Sequence, residues 1–500
     1  MPIEHVDVLI VGAGLSGIGA AYHLKANCPG KSFLLLESRP RLGGTWDLFR
    51  YPGIRSDSDM YTLGYSFKPW MDKKAIADGP SILRYMTDVA KENHIAERIR
   101  YGLKVKRASW SSEDAAWTVE AETAETGETV RFSCNFLYGC SGYYNYDEGF
   151  TPEFPGRERF QGRFVHPQHW PEDLDYADKK VVIIGSGATA VTLVPEMAKT
   201  AAHVTMLQRS PTYVITRPGE DGLANWMNRN LPAKLSYGIT RWKNVLLGML
   251  FFQLSRRRPA KVKAKIIDLI RKQLGPDFDV EKHFTPSYNP WDQRVCLVPD
   301  GDMFKMLRQG KASVATDHIE TFTETGIKLK SGEELEADII VSATGLKLLF
   351  LGGMALSVDG KPMVQSELFN YRGMMYSDLP NLVTAFGYTN ASWTLKADLT
   401  AERVCRLLNH MDRHGYKQAT PRLTDPEVKA EPFIDFSSGY VQRALADFPK
   451  QGSKRPWKLY QNYILDIFTL RYGKIDDGVM EFARPRQAAP FATPSAKEAA

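Results

Sequence analysis

An α/β fold with two Rossmann-like dinucleotide-binding domains and a helical insertion is predicted by three features of the chain. Near the start, the apolar run Val6 to Val11 breaks into Gly12-x-Gly14-x-x-Gly17 and then an alanine-rich stretch. A second apolar run, Val181 to Ile184 in KKVVII, breaks into Gly185-x-Gly187-x-x-Ala190. Between these units and the C-terminal third lies a helical pattern, at about 215–285. At 500 residues, 43% hydrophobic and 24% charged, the chain is long enough to bury two or three separate cores.

In the first unit the glycines have separate duties. Gly12 makes the tight turn, Gly14 lets a pyrophosphate reach backbone N–H groups at a helix N-terminus, and Gly17 permits close helix packing. The next strand, FLLLESR, ends at Glu37, about the 20-residue spacing at which an acid accepts from ribose hydroxyls. A glycine turn alone would suit many α/β units; the strand–turn–helix–strand context points to a dinucleotide. In the second unit the turn runs Gly185, Ser186, Gly187, Ala188, Thr189, Ala190, and the following strand ends in Gln208-Arg209-Ser210 with no acid. An acid would repel a 2′-phosphate, whereas a guanidinium pairs with it, so this half predicts NADP binding; the bland alternative is a solvated strand-end charge at Arg209.

Two such units, the first at the N-terminus, point to a flavoprotein that takes hydride from NADPH. SGEELEADIIVSATG, ending at Gly345, predicts a hairpin and a strand returning to the first domain. NLVTAFGYTNASWTLKADL predicts a strand, a polar turn and a helix whose positive end can face a flavin ring, unless Trp393 and its neighbours are only core.

Composition narrows the classes. The net charge is +6, with no basic run interleaved with aromatics, so nucleic acid is not an expected partner. The five cysteines never form Cys-x-x-Cys, which argues against a disulfide framework, a zinc site and the disulfide reductases that share a two-nucleotide layout. No metal is expected, and a reduced cytoplasmic setting fits. The N-terminus lacks a signal-peptide pattern, and no run of 18 apolar residues is present. Trp242 to Lys263, apolar and then basic, could cover an active-site mouth or rest peripherally on anionic lipid; the mouth is the expectation.

FQGRFVHPQHWP, Phe160 to Pro171, holds two histidines three apart, but Pro167 and Pro171 oppose the helix that would align them on a metal. Gly44-x-Trp46-x4-Tyr51-Pro52-Gly53-x3-Asp57 and Phe160-x-Gly162-x3-His166-x3-Trp170-Pro171 resemble the two fingerprints of type I Baeyer–Villiger monooxygenases. The Trp-Pro ending separates them from the related flavin-containing and N-hydroxylating enzymes. Longer strings, including CSGYYNYDEG, YNPWDQR and GYTNASWTLKADL, resemble the ethionamide-activating branch, and the likeness runs from about residue 5 to 480.

The resemblance implies FAD and NADPH as cofactors, and O2 with a ketone or sulfide as substrates. Through a C4a-peroxyflavin, ketones would give esters or lactones, and sulfides or thioamides would give S-oxides. It implies Arg294 as the cation that stabilises the anionic intermediate, with Asp57 as its partner carboxylate. Ser16, Thr45, Trp46 and Val105 would contact FAD; Arg55, Asp57, the 185–190 turn and Arg209 would contact NADP; His166 and Trp170 would belong to an interdomain linker. Many relatives carry a lysine before the arginine, but here it is Gln293, which leaves coenzyme discrimination to Arg209. The expected domains are an FAD domain from 1–145 and 335–500, a linker at 146–174, and an NADP domain at 175–334. The alternatives are an uncoupled NADPH oxidase, an N- or S-oxidising flavin monooxygenase without Baeyer–Villiger activity, or a flavin-bearing membrane or redox-sensing module without turnover.

Overall fold

In the computed structural model, which describes residues 3–484, the strand Glu4–Val11 occupies the middle of a nine-stranded sheet. Val8 to Val11 are all buried, as a parallel strand covered on both faces requires. Its parallel neighbours are Phe33–Leu36 and Thr129–Gly139, and Leu382–Thr384 joins beyond the latter. Leu103–Ser111 and Ala116–Thr123 extend the sheet antiparallel, followed by Ala355–Val358 and Lys361–Met363. Two stretches of chain on either side of the second sheet thus build one core. The helices Leu15–Asn27 and Trp393–His414 lie together on it, burying Ile18, Leu24, Leu399 and Val404.

The second sheet is wholly parallel and has five strands, in the order Ala312–Thr316, His203–Gln208, Lys180–Ile184, Ile339–Ser342, Arg163–Val165. It corrects the sequence reading of SGEELEADIIVSATG. The strand Ile339–Ser342 does not return to the first sheet; it lies between Lys180–Ile184 and Arg163–Val165, so this unit reaches beyond 175–334 at both ends. A fully buried apolar strand suits the interior of either parallel sheet, and nothing local says which it joins. A small antiparallel sheet, Ile319–Phe322 with Gly326–Leu329 and Glu334–Glu336, covers one face through Phe322, Ile327 and Leu329.

The helices Gly222–Asn230, Ala233–Arg257, Pro259–Leu274 and Val280–Phe284 fill the segment whose pattern is helical. The longest is anchored to the first unit by Arg241, whose Nη1 donates to the carbonyls of Tyr61 and Gly64, both at 2.8 Å, with Nη2 3.6 Å from Asp398. Asn244 adds a bond to Asp59 at 2.9 Å.

The two units are joined by an antiparallel ribbon, Tyr144–Gly149 with Leu346–Leu348. His166 packs on its end: a Cβ at Gly149 would lie 2.0 Å from His166 Cε1, so only glycine fits there. The ring bonds the Gly345 carbonyl through Nε2 at 3.3 Å and accepts the Gln168 N–H through Nδ1 at 3.2 Å. Trp170 is half-buried against the second core.

Burial holds the His166 imidazole below its ordinary value of 6.5. The unfolded chain therefore binds the proton more readily, and this contribution leaves stability unchanged above pH 6.5 but lowers it as pH falls through and below that value. Thermal midpoints followed from neutral to mildly acidic pH should drop in the wild type and drop less in His166→Gln. Parallel slopes would show that other groups cause the acid sensitivity.

Candidate active site

Both glycine turns open on one cleft of about 1160 Å³ between the units. At the first, a Cβ on Gly12 would sit 2.5 Å from the Cys140 carbonyl oxygen, and one on Gly17 would sit 1.9 Å from that of Gly12. The turn therefore closes only with hydrogen as side chain, bringing the N-terminus of the helix to the cleft. Gly14 caps that helix with no side-chain acceptor, so the leading amides remain available to a phosphate. A Cβ on Gly14 would meet Gly44 Cα at 3.5 Å, so the floor here is bare backbone on both sides. Glu37, buried at the cleft wall, accepts N–H bonds from Ala13 at 2.8 Å and Arg39 at 3.0 Å, while burial raises its pKa. Ser16 Oγ accepts the Trp393 Nε1–H at 2.7 Å, tying the glycine helix to the start of Trp393–His414. These features fit a dinucleotide such as FAD: a glycine cradle, uncapped amides and a fixed carboxylate at the far strand end.

The second turn repeats the device. Gly187 leads into Ala188–Met197 without a side-chain cap, and the space beside its Cα is open. The loop carrying Tyr51, Pro52 and Gly53 crosses onto this helix. Gly53, at φ 74°, lies so close that a Cβ would meet Glu196 Cβ at 2.9 Å. That crossing carries Arg55 and Asp57 to the junction. Arg55 pairs with Asp302 of the second unit at 2.5 Å.

Arg294 meets Asp57 at the same junction. Its Nη2 lies 2.5 Å and its Nε 2.8 Å from one oxygen of that carboxylate, across 237 positions of sequence. Arg294 precedes the buried strand Cys296–Pro299, which pairs with Val214–Arg217. The Asp57 carboxylate, assisted by Tyr143, Tyr440 and Tyr144, pushes the already high guanidinium pKa higher, so the cation persists at every working pH. Tyr143 and Tyr144 join hydroxyls at 2.8 Å, and Tyr143 stacks on Trp393 with ring centres 5.3 Å apart. Burial drives both phenols far from ionisation, leaving Arg294 the lasting charge of this wall beside Asp57.

The cleft is lined by Gly12, Gly14, Ser16, Glu37, Thr45, Trp46 and Val105 from the first unit, and by Arg55 and Asp57 from the crossing loop. The second unit contributes Gly185, Ser186, Gly187, Ala188, Thr189, Arg209 and Arg294. Gly17 and Ala190 are set back from it as helix-packing positions, and His166 and Trp170 lie outside it. Gln208 requires a correction: its side chain turns inward, 2% exposed, donating to the His283 carbonyl at 2.7 Å and to Thr316 Oγ1 at 2.9 Å. Strand alternation sends Gln208 into the core and Arg209 to the cleft. The segment 242–263 also requires one, since none of its residues lines the cleft. The helix is held by its polar face, through Arg241 and Asn244, which turns its leucines away.

Sequence reasoning missed the tyrosine wall and Lys330. Tyr143 and Tyr144 follow a strand exit in a string noted only for its likeness, and Tyr440 carries no local signal. Lys330 lines the cleft, as Arg209 does, and neither has a carboxylate partner among the described residues.

The flavin-binding monooxygenase-like family model matches residues 70–375, and an NAD(P)-binding Rossmann-like domain model matches residues 10–71. The chain is 52% identical over 486 residues to the FAD-containing monooxygenase EthA of Mycolicibacterium smegmatis, covering 97% of this chain and 98% of that protein. It is 52% identical over 482 residues to the probable FAD-binding monooxygenase AlmA of an Acinetobacter species, covering 96% of each. Among solved structures, oxidized steroid monooxygenase bound to NADP superposes with a TM-score of 0.76 at 22% identity, over 96% of this chain and 100% of that one. The OTEMO complex with FAD and NADP superposes with a TM-score of 0.75 at 20% identity, over the same shares. The structural likeness is one of fold; the sequence likeness extends along nearly the whole chain, which belongs to the flavin-binding monooxygenase-like family and is an FAD-containing, NADPH-dependent monooxygenase.

Proposed function

We propose that this monooxygenase inserts oxygen beside the carbonyl of ketones and adds oxygen to sulfides and thioamides. NADPH supplies two electrons; one atom of O2 enters the C–C bond or joins the sulfur, and the other leaves as water. The observation that carries this reading is the Arg294–Asp57 pair, placed in the cleft between the two glycine turns. The relatives named as FAD-containing monooxygenases support it, as does the shared fold of a steroid monooxygenase.

Bound FAD supplies the redox chemistry, accepting hydride from NADPH and activating dioxygen. The chain's own groups divide the remaining work. The FAD unit comprises residues up to about 149 and from about 346, with Gly12, Gly14, Ser16, Glu37, Thr45, Trp46 and Val105 holding the cofactor. The NADP unit comprises the intervening chain, with the 185–190 turn at the pyrophosphate and Arg209, joined by Lys330, at the 2′-phosphate. Arg55 and its partner Asp302 tie the crossing loop to that unit. Arg294 presents a permanent cation to the oxygen that gains negative charge during transfer, and Asp57 fixes the guanidinium plane. Tyr143, Tyr144 and Tyr440 line the cleft beside it and narrow the access of water, which would otherwise discharge the activated oxygen as hydrogen peroxide. His166 and Trp170 couple the two units through the ribbon on which His166 packs.

Arg209→Ala should raise the Michaelis constant for NADPH at least about tenfold and leave NADH nearly unaffected, because a charge-assisted contact contributes roughly 1.5–3 kcal/mol. Equal losses with both coenzymes would remove Arg209 from 2′-phosphate recognition.

Arg294→Ala should keep FAD, continue to oxidise NADPH and release hydrogen peroxide, while ester and S-oxide formation fall about 100-fold to 1000-fold. Product mass spectrometry beside NADPH consumption reads this directly. A near wild-type yield of oxygenated product per NADPH would mean that another group does the work assigned to Arg294.

A further inference from the structure

The helix Ala233–Arg257 is amphipathic in the reverse sense. A surface helix ordinarily buries its apolar stripe. Here the buried residues include Ser236, Tyr237, Thr240, Arg241 and Asn244, of which Tyr237, Arg241 and Asn244 bond to the first unit and Ser236 to Asn228 of the preceding helix. Leu235, Ile239, Trp242, Leu246, Leu250 and Leu254, three or four positions apart, remain 40–55% exposed. Trp226 on the preceding helix is 54% exposed, and Phe468 and Tyr472 are 63% and 67% exposed. The Trp242 ring lies 6.0 Å from Tyr463, whose segment runs on into the one carrying Phe468 and Tyr472, so the apolar surface continues across to it. Soluble monomers rarely carry such a contiguous apolar surface without using it.

Charge identifies the occupant. From Ala233 to Lys265 the sequence holds no acidic residue. Arg256 pairs with Asp292 and Lys265 with Asp268, but Arg257, Arg258 and Lys261 are exposed without a carboxylate partner among the described residues. A second copy of this face would bring no negative charge to them; phospholipid phosphates would. Among the described residues no helix is long and apolar enough to cross a membrane, so the geometry is that of a helix lying in the plane of an interface.

We propose that this face seats on an anionic lipid surface. Its leucines and aromatic rings enter the boundary between headgroups and acyl chains, and Arg257, Arg258 and Lys261 engage the phosphates. Phe468 also lines a second cavity of about 380 Å³, and Tyr388 is common to that cavity and the main cleft. The docked face therefore borders a cavity that shares a wall with the active site.

The test is sedimentation of the holoenzyme with vesicles rich in phosphatidylglycerol and with vesicles of phosphatidylcholine alone. The wild type should sediment with the anionic vesicles at low salt and be released by high salt. Arg257→Glu with Arg258→Glu, and separately Leu246→Glu with Leu250→Glu, should each lower the bound fraction about tenfold or more while retaining the wild-type flavin spectrum and thermal midpoint. Failure of the wild type to sediment with anionic vesicles would overturn the proposal, as would either variant pair sedimenting like the wild type. A lipid-free dimer that the leucine substitutions convert to monomer would assign the face to a second copy instead. None of these readouts depends on which substrate is oxygenated.

Discussion

The ion pair between Arg294 and Asp57 is the constraint around which the two nucleotide units are arranged. One partner belongs to the first unit and the other to the second, and neither could reach the other if the units rotated apart. Both side chains keep about a third of their surface exposed, 35% for Arg294 and 32% for Asp57, so the pair is only partly desolvated and its geometry carries its effect. Two of the guanidinium nitrogens lie within 2.8 Å of one carboxylate oxygen. The same contact that fixes the interdomain geometry leaves a cation at the cleft.

Close approach makes that contact available. Gly53 lets the crossing loop lie against the helix Ala188–Met197, where even a methyl group would collide with Glu196. At the ribbon, Gly149 admits the His166 ring. Both glycines serve tertiary contact between units rather than a nucleotide, in contrast to Gly12, whose tight turn against Cys140 shapes the cradle itself.

Arg241 solves a different problem with an unusual result. By donating to carbonyls at the end of the short helix Met60–Leu63, it ties the insertion to the FAD-side core. Those carbonyls lie at a helix C-terminus, where a cation is favoured. The helix that supplies Arg241 must then bury its polar side, and its leucines are left facing outward. The exposed apolar face is thus a consequence of how the insertion is held.

The sequence by itself determined the two glycine turns, the acid at Glu37, the missing acid beside Arg209 and the helical character of 215–285. Each reflects a local backbone or charge requirement: a turn that tolerates no Cβ, a strand end that must accept or repel a phosphate, a run with helical spacing. Tertiary structure alone decided what depends on distant partners. Ile339–Ser342 is fully buried, as Phe33–Leu36 of the first sheet is, and only pairing with Lys180–Ile184 and Arg163–Val165 assigns it to the second. Gln208 and Arg209 are adjacent in sequence, yet their opposite directions depend on the register of their strand. Tyr143, Tyr144 and Tyr440 come together at Arg294 from segments about 300 positions apart, and the outward face of Ala233–Arg257 follows from contacts with Tyr61, Gly64 and Asp398. Local propensity is written in neighbouring residues, whereas the choice of partner is settled by the packing of the whole chain.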